Sequence, residues 1–397
     1  MTAFGRPAPR VVAAVALVAV AAVPTPPSTA DGACLPAPTS TETGVPWGQQ
    51  RLGVERAWPL SRGQGVTVAV VDTGVDGGTP QLRGRVLPGQ DLTATGRPRA
   101  DNDCFGHGTF VAGIVAAAPA EGTGFTGVAP DARILPVRVA NTMEDGTAAR
   151  LAQGVRAAVD AGAKVVNISA STPVPDPSLV AAVEYAERRD VVVVAAAANG
   201  AERGQTVAYP AAFPTVVAVG AIDSGGGLAN FSQTGKHLGL VAPGVDVTSV
   251  GPRGAGHWQG SGTSYAVPFV SGTAALVRAY RPGLTAAQVR ARLLATADHP
   301  AAAMPDPGFG WGVVNPAAAV SAVLPEEGGA SAAEPPPAAR HPDLPPPDPT
   351  GPRLAALAAG AAVVATGLVA LLAVLLPAAN RRRWRPARSA VVDQTRR

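Results

Sequence analysis

Apolar β-branched residues form five short runs along the middle of the chain, each with the length of a buried strand. The runs are VTVAVVD (66–72), RILPVRV (133–139), KVVNIS (164–169), VVVVAAA (191–197) and TVVAVGA (215–221). Apolar residues at helical spacing predict helices at about 108–118, 147–162, 178–188, 264–280 and 285–297. Buried strands that alternate with helices are typical of a parallel sheet with helices on both faces. The pattern therefore predicts an α/β fold of this kind.

Two more apolar stretches lie at the ends of the chain. Residues 11–23 follow a basic start and precede small residues, which indicates a secretory signal peptide over residues 1–30. Residues 354–376 are uncharged and would span about 35 Å as a helix, enough to cross a bilayer core of about 30 Å. The arginine-rich tail, residues 377–397, is then expected in the cytoplasm by the positive-inside rule. The sequence thus predicts one carboxyl-terminal transmembrane helix, with everything before it outside the cytoplasm.

The remaining segments complete the domain organisation. Residues 31–62 form a short amino-terminal extension, and residues 63–322 form the globular domain. Residues 323–353 are rich in proline and lack a packing pattern, which indicates an extended linker. The formal net charge is +4, but the basic tail alone exceeds this, so that the rest of the chain is slightly acidic. The charge reflects membrane topology and gives no support to nucleic-acid binding.

The chain has two cysteines, Cys34 and Cys104, in the part predicted to lie outside the cytoplasm. An even number in an oxidising compartment favours one disulfide, although two free thiols are an alternative. A bond across so long a loop would stabilise the fold by about 4 kcal/mol in the chain-entropy account.

Polar residues that could carry chemistry follow the predicted strands or begin the helices. In an open parallel sheet the site lies at the carboxyl ends of the strands, which selects Asp72, Ser169–Ser171 and Asn199. His107 lies between two glycines at a helix start, and Ser264 begins another helix. Singly, such residues also serve as turn formers, helix-terminus histidines or helix caps. Together they supply the parts that an activated hydroxyl needs: a nucleophile, an imidazole and a carboxylate that orients it.

Four segments resemble the subtilisin-like serine proteases, namely VAVVDTGVD (68–76), GHGTFVAGI (106–114), GVAPDARILPVRV (127–139) and GTSYAVPFVSG (262–272). The order Asp, His, Ser along the chain is also that of subtilisin. The resemblance implies that Asp72 orients His107. It further implies that His107 acts as general base and then acid, while Ser264 attacks the scissile carbonyl carbon.

The same resemblance implies the groups that surround the reacting carbonyl. Asn199 matches the asparagine that donates to the tetrahedral intermediate, with the backbone N–H of the nucleophile as the second donor. Ser169, Ala170 and Ser171 would form one wall of the substrate cleft. The chain departs from the family at Ala198, where glycine is usual and where alanine reaches a positive φ at a higher cost.

The other candidate residues have ordinary interpretations. Asp101 and Asp103 are close to His107 in sequence and could orient it instead, but their polar loop favours a solvated surface. Thr263 is expected to serve the helix start as its cap. His257 lies in a glycine-rich loop with no partner visible in the sequence. No cluster of residues has the spacing of a zinc or calcium site, so no metal or cofactor is expected.

The layout of the chain resembles one group of this family, the mycosins, which are membrane-anchored proteases of type VII secretion systems. Residues 45–76 resemble their amino-terminal region. The resemblance implies a Cys34–Cys104 disulfide beside His107, a polypeptide substrate and a membrane secretion complex as partner. The extension is too short for a folded inhibitory propeptide. An alternative function is a structural subunit of that complex, in which peptidase activity is dispensable.

Overall fold

The computed structural model describes residues 34–142, 144–301, 303–327, 359–361 and 365–368. The chain divides into two compact units, Met1–Ala330 and Ser331–Arg397, and the short pieces described in the second are helical. The predicted signal peptide, most of the proline-rich linker, most of the predicted transmembrane segment and the basic tail lie outside the described residues. Within the described ranges, no helix is long and apolar enough to cross a membrane.

Seven strands of the first unit form one parallel sheet. They are β1 (Thr67–Asp72), β2 (Gln90–Asp91), β3 (Arg133–Arg138), β4 (Val165–Ile168), β5 (Val192–Ala196), β6 (Val217–Ile222) and β7 (Leu240–Pro243). Their order across the sheet is β2-β3-β1-β4-β5-β6-β7. The strands from β4 to β7 are buried along their whole length, as expected for apolar strands between two layers of helices.

Two pairs of helices pack against this sheet. They belong to a set that comprises α1 (Trp47–Leu52), α2 (His107–Ala116), α3 (Ala148–Asp160), α4 (Pro177–Arg188), α5 (Thr263–Tyr280), α6 (Ala286–Ala295) and α7 (Pro316–Ser321). Helix α3 contacts α4, and α2 contacts α5. Val71 of β1 lies against Gly154 of α3, whereas Asn167 of β4 accepts a hydrogen bond from Ser271 of α5 at 2.9 Å.

The pairing of β1 and β4 shows that these two helix pairs cover opposite faces. Asn167 is paired with Val70, which precedes Val71 in β1. Because successive side chains of a strand point to opposite faces, α5 and α3 lie on different sides of the sheet. The predicted α/β architecture with two covered faces is therefore confirmed.

An antiparallel hairpin, absent from the sequence-based expectations, leads into α5. Its strands are β8 (Val247–Val250) and β9 (His257–Gly260). His257, which was expected in a glycine-rich loop, lies in β9 and has partners that the sequence did not reveal. Its ring is buried, with Nε2 2.9 Å from Gln81 Oε1 and Nδ1 accepting from the Glu42 N–H at 3.1 Å. The amino-terminal extension therefore packs on the hairpin.

The packed chain continues beyond the predicted domain boundary at residue 322. Arg292 of α6 is fully buried, and its Nε donates to Glu327 Oε1 at 2.6 Å. A buried guanidinium needs such a partner, because an unpaired buried charge is costly. Glu327 therefore belongs to the folded domain.

Candidate active site

Asp72 and His107 meet where the first strand ends and the second helix begins. The Nδ1 atom of His107 lies 2.8 Å from Asp72 Oδ1 and 2.9 Å from Asp72 Oδ2. Both side chains are buried. The close contact of α2 with the end of β1 requires glycine at position 108, because a Cβ atom there would lie 2.1 Å from the carbonyl oxygen of Gly74.

The surroundings of His107 favour its protonated form. Burial opposes the charge and would by itself lower the pKa of the imidazole. The negative charge of Asp72 and its hydrogen bond to the ring act in the opposite direction, and the net effect is a raised pKa. An imidazolium that forms during a reaction is therefore stabilised in place.

Ser264 is the second residue of α5, and the residue is 7% exposed. Its Oγ donates to the carbonyl oxygen of Ser169 at 3.1 Å, and Ser169 Oγ donates back to the carbonyl oxygen of Ser264 at 2.9 Å. Among the hydrogen bonds of the described residues, none joins Ser264 Oγ to His107. Catalytic hydrogen bonds are often long without substrate and tighten only when it binds. The ring of Tyr265 lies 5.3 Å from that of His107 and connects the two sides of the site.

Asn199 and Thr263 are joined directly, which corrects the expectation for Thr263. The cap position of α5 is Gly262, and Thr263 is the first helical residue. Asn199 Oδ1 accepts from the Thr263 N–H at 2.9 Å and from its hydroxyl at 3.1 Å. Thr263 therefore does not cap the helix. The carboxamide of Asn199 performs that task for one N–H and keeps its Nδ2 donor for the open side, because Asn199 is exposed.

Ala198 adopts a positive φ, the conformation that costs alanine more than glycine. Its φ is +78°, in the left-handed region that favours glycine. The carbonyl oxygen of Ala198 accepts from the Gln233 N–H at 3.0 Å, and Asn199 forms an isolated bridge with Ser232. These contacts hold the turn in its strained shape.

A cleft of about 280 Å³ joins these residues. Its lining includes the three residues of the predicted substrate wall, three of the predicted reaction centre and the neighbouring Thr263: Ser169, Ala170, Ser171, Asp72, Asn199, Ser264 and Thr263. The buried ring of His107 is not part of this lining, but it contacts Asp72, which is. Of the described residues that line the cleft, only Asp72 carries a charge. The cleft thus offers an uncharged surface beside a buried carboxylate–imidazole pair.

Asp103 was expected at the surface, and that expectation is wrong. Its carboxylate is buried and accepts hydrogen bonds from Gly106 and Thr109 of the α2 start. Asp101, by contrast, is partly exposed and pairs with Arg99. The signal for Asp103 was its position a few residues before a helix, where aspartate often accepts from the free N–H groups. The carboxylate that contacts the ring is that of Asp72, not that of Asp103.

The cysteines form the disulfide that the resemblance implied. Cys34 is bonded to Cys104, and the N–H of Leu35 donates to the carbonyl oxygen of Cys104 at 3.1 Å. The alternative of two free thiols is thereby excluded. The bond ties the amino-terminal extension to the loop that precedes His107.

The chain is similar to known proteases over most of its length. The pattern of the subtilase family matches residues 63–312. Mycosin-4 of Mycobacterium tuberculosis is 37% identical over an alignment of 387 positions, gaps included, that covers 86% of this chain and 83% of mycosin-4. A solved structure described as the serine protease MycP1, an essential component of the type VII (ESX-1) secretion system, has 34% identity and a TM-score of 0.66, over 73% of this chain and 93% of that one.

A second solved structure, MycP1 from Mycobacterium smegmatis, has 32% identity and a TM-score of 0.65, and the match covers 77% of this chain and 92% of that one. Sequence identity at this level over most of both chains indicates membership of the same family as well as a shared fold. The chain therefore belongs to the subtilase family, within its mycosin group, and is a serine endopeptidase.

Proposed function

We propose that Ser264 is the nucleophile of this protease, His107 its general base and acid, and Asp72 the carboxylate that orients His107. The observation that carries the proposal is the contact of His107 Nδ1 with both oxygens of Asp72, at 2.8 and 2.9 Å, beside a cleft that Ser264 lines. This contact holds the proton on Nδ1 and leaves Nε2 as the basic nitrogen.

The reaction then proceeds by two proton transfers at His107. Its Nε2 takes the proton of Ser264 Oγ as the oxygen attacks the peptide carbonyl carbon, and the imidazolium is stabilised by Asp72. The same proton passes to the leaving amine when the C–N bond breaks, which leaves an acyl group on Ser264. Water repeats the sequence, with His107 again as base, and releases the acid product.

The negative oxygen of the tetrahedral intermediate needs donors, and two are available. Thr263 donates to the Oδ1 end of the Asn199 carboxamide, and none of the hydrogen bonds among the described residues uses its Nδ2. The N–H of Ser264 lies in the first turn of α5, where helical N–H groups have no carbonyl partner within the helix. We therefore assign these two groups as the donors to the oxyanion. Removal of one such donor typically lowers the rate by about 10²–10³.

Ser169, Ala170 and Ser171 are proposed to form one wall of the cleft for the substrate backbone. They follow β4, so their position is fixed by a buried strand of the sheet. The reciprocal hydrogen bonds between Ser169 and Ser264 keep this wall next to the nucleophile.

The location and partner of the protease follow from its ends and from its relatives. We propose a membrane-anchored enzyme with residues 63–322 outside the cytoplasm and residues 354–376 as the single span. The predicted signal peptide, the Cys34–Cys104 bond and the apolar carboxyl-terminal stretch support this topology. Because the related MycP1 is described as an essential component of a type VII secretion system, we propose that this chain processes a polypeptide of such a system.

The catalytic assignment is tested by hydrolysis of denatured casein by the full-length chain in detergent. We expect Ser264→Ala, His107→Ala and Asp72→Asn each to lower the rate by about 10⁴-fold or more. Ser261→Ala is the matched control, because this nearby hydroxyl is bonded to Asp246 at the rim. Equal losses for Ser261→Ala and Ser264→Ala would contradict the assignment.

The second candidate is a structural subunit, because the related MycP1 is described as an essential component of a type VII secretion system. Secretion is compared in cells that carry Ser264→Ala and in cells that lack the gene. If both block secretion, proteolysis is required. If only the deletion blocks it, the structural function dominates.

A further inference from the structure

Asp103 is a buried carboxylate that has no part in the proposed triad. It is 4% exposed and accepts four hydrogen bonds. Its Oδ1 accepts from the Gly106 N–H at 2.8 Å and from the Thr73 hydroxyl at 3.0 Å. Its Oδ2 accepts from the N–H and the hydroxyl of Thr109, at 2.9 and 2.7 Å. These four donors favour the ionised carboxylate, in opposition to its burial.

These donors belong to the two elements that carry Asp72 and His107. Thr73 directly follows Asp72, and its N–H donates to Asp72 Oδ1 at 2.7 Å. The Thr73 hydroxyl also accepts from the Gly108 N–H at 3.0 Å. Gly106, at the cap position of α2, has no side chain with which to cap the helix. Asp103 therefore caps α2 and joins its first turn to the end of β1.

The charge of Asp103 acts on the same imidazole as that of Asp72. Burial raises the pKa of Asp103 to about 6, against the opposing effect of its hydrogen bonds. At neutral pH it is therefore ionised. Its negative charge is one of the causes that raise the pKa of His107, after Asp72. Two carboxylates thus favour the imidazolium of His107. Asp72 contacts the ring, and Asp103 accepts hydrogen bonds at the start of α2.

Other charged and titratable groups around the pair have partners or remain neutral. Arg138 donates to the carbonyl oxygen of Thr73 at 2.8 Å and pairs with Asp91 at 2.6 Å. The carboxylate of Asp76 accepts from the N–H groups of Gly78 and Arg253. Burial and the charge of Asp72 raise the pKa of Tyr265 to about 12, so this phenol stays neutral.

We propose that Asp103 is a positioning residue for His107, which holds α2 against β1 and supplies a second negative charge that stabilises the imidazolium formed when Ser264 reacts. This inference rests on the proposed triad. The position of Asp103 is fixed in turn by the amino-terminal extension, because the next residue, Cys104, is bonded to Cys34. The extension thus contributes to the site without touching substrate.

The test measures the rate constant of labelling by a fluorophosphonate as a function of pH, on the full-length chain in detergent. We expect Asp103→Asn to lower the plateau rate about tenfold and to move the acid limb to lower pH, because His107 loses a charge that favours protonation. Asp101→Asn is the matched control. It removes the same charge from the same loop, but Asp101 pairs with Arg99, so the wild-type profile is expected.

Two further variants separate charge from folding. Asp103→Ser removes the charge and keeps a capping oxygen, so it repeats the test if Asp103→Asn fails to fold. Thr109→Ala removes one donor and keeps the charge, so it should lower thermal stability without moving the acid limb. An unmoved limb in folded, neutral Asp103 variants would show that Asp103 is only a helix cap. If the wild-type chain is not labelled at all, the proposed triad itself is wrong, and the role of Asp103 is lost with it.

Discussion

The carboxamide oxygen of Asn199 accepts two hydrogen bonds from Thr263, one from its N–H at 2.9 Å and one from its hydroxyl at 3.1 Å. The nucleophile candidate is the next residue, so the same helix start fixes both Ser264 and the orientation of Asn199. The remaining donor, Asn199 Nδ2, is thereby directed to the cleft.

This contact predicts different effects of substitutions at its two ends. Asn199→Ala removes the donor and should lower kcat by about 10²–10³, with little change in KM. Thr263→Val removes only the hydroxyl bond and should lower kcat by less than about tenfold. Thr263→Ser keeps both bonds and is the matched control, with wild-type kcat. A Thr263→Val loss as large as that of Asn199→Ala would show that the contact does more than orient the carboxamide.

The positive φ of Ala198 predicts that Ala198→Gly stabilises the domain. Alanine pays about 1–2 kcal/mol in this region, while glycine costs about 0.5–1 kcal/mol of chain entropy. The free energy of unfolding should therefore rise by about 0.5–1 kcal/mol, measured by denaturant titration. Ala197→Gly is the control, because Ala197 is buried without a positive φ, and it should destabilise. Equal losses in both variants would contradict the strain at Ala198.

The raised pKa of Asp103 predicts an unusual pH dependence of stability. The folded chain binds the proton more tightly than the unfolded chain, whose carboxyl has its ordinary value of 3.8, against about 6 when folded. The stabilising contribution is fully present below the lower value and is lost as pH rises through the higher one. His107 acts in the same direction at its own raised pKa. The wild type should therefore lose stability relative to Asp103→Asn between about pH 4 and pH 6, by up to about 3 kcal/mol.

Denaturant titrations of both chains at several pH values measure this difference. Comparison with the variant is needed because Asp91 and Asp190, whose pKa values are lowered, contribute in the opposite direction. Asp101→Asn supplies the control. The pKa of Asp101 is lowered, chiefly by its hydrogen bond to Arg99, so this variant should not reproduce the pH dependence expected of Asp103→Asn. A constant difference between the wild type and Asp103→Asn across this range would contradict the prediction.

The disulfide predicts that the extension supports the site. The double variant Cys34→Ser, Cys104→Ser should lose about 4 kcal/mol of unfolding free energy for a loop of this length. Cys104 directly follows Asp103, so loss of the disulfide should also disturb Asp103. Labelling of Ser264 by a fluorophosphonate should therefore be slower in the double variant. A reducing agent should reproduce both effects in the wild type and leave the double variant unchanged. Unaltered labelling in a folded double variant would separate the extension from the site.

The five strands that carry or neighbour the site were predictable because each lies in a run of six or seven mostly apolar residues. The edge strands β2 and β7 were not, since β2 has only two residues and β7 ends in a proline. The hairpin β8–β9 was missed because each strand has only four residues, in which apolar and polar side chains are mixed. Its stability comes from packing against the extension and α2, which periodicity does not record.

In the candidate site, residues at strand ends and helix starts were predictable from topology, and their pairing was not. Asp72 and Asp103 are both aspartates, and Asp103 is much closer to His107 along the chain. The fold nevertheless brings the carboxylate of Asp72, not that of Asp103, against the ring. Thr263 looked like a cap, yet Gly262 holds that position and Asn199 supplies the acceptor. Contacts between distant segments settled each case.

The most direct measurement is the mass of the peptide that a fluorophosphonate modifies in the full-length chain. We predict one adduct, on Ser264, in the wild type, none in Ser264→Ala, and a rate lower by about 10³-fold or more in His107→Ala. An adduct on another residue, wild-type labelling in His107→Ala, or no adduct in the folded wild-type chain would contradict the assignment of Asp72, His107 and Ser264.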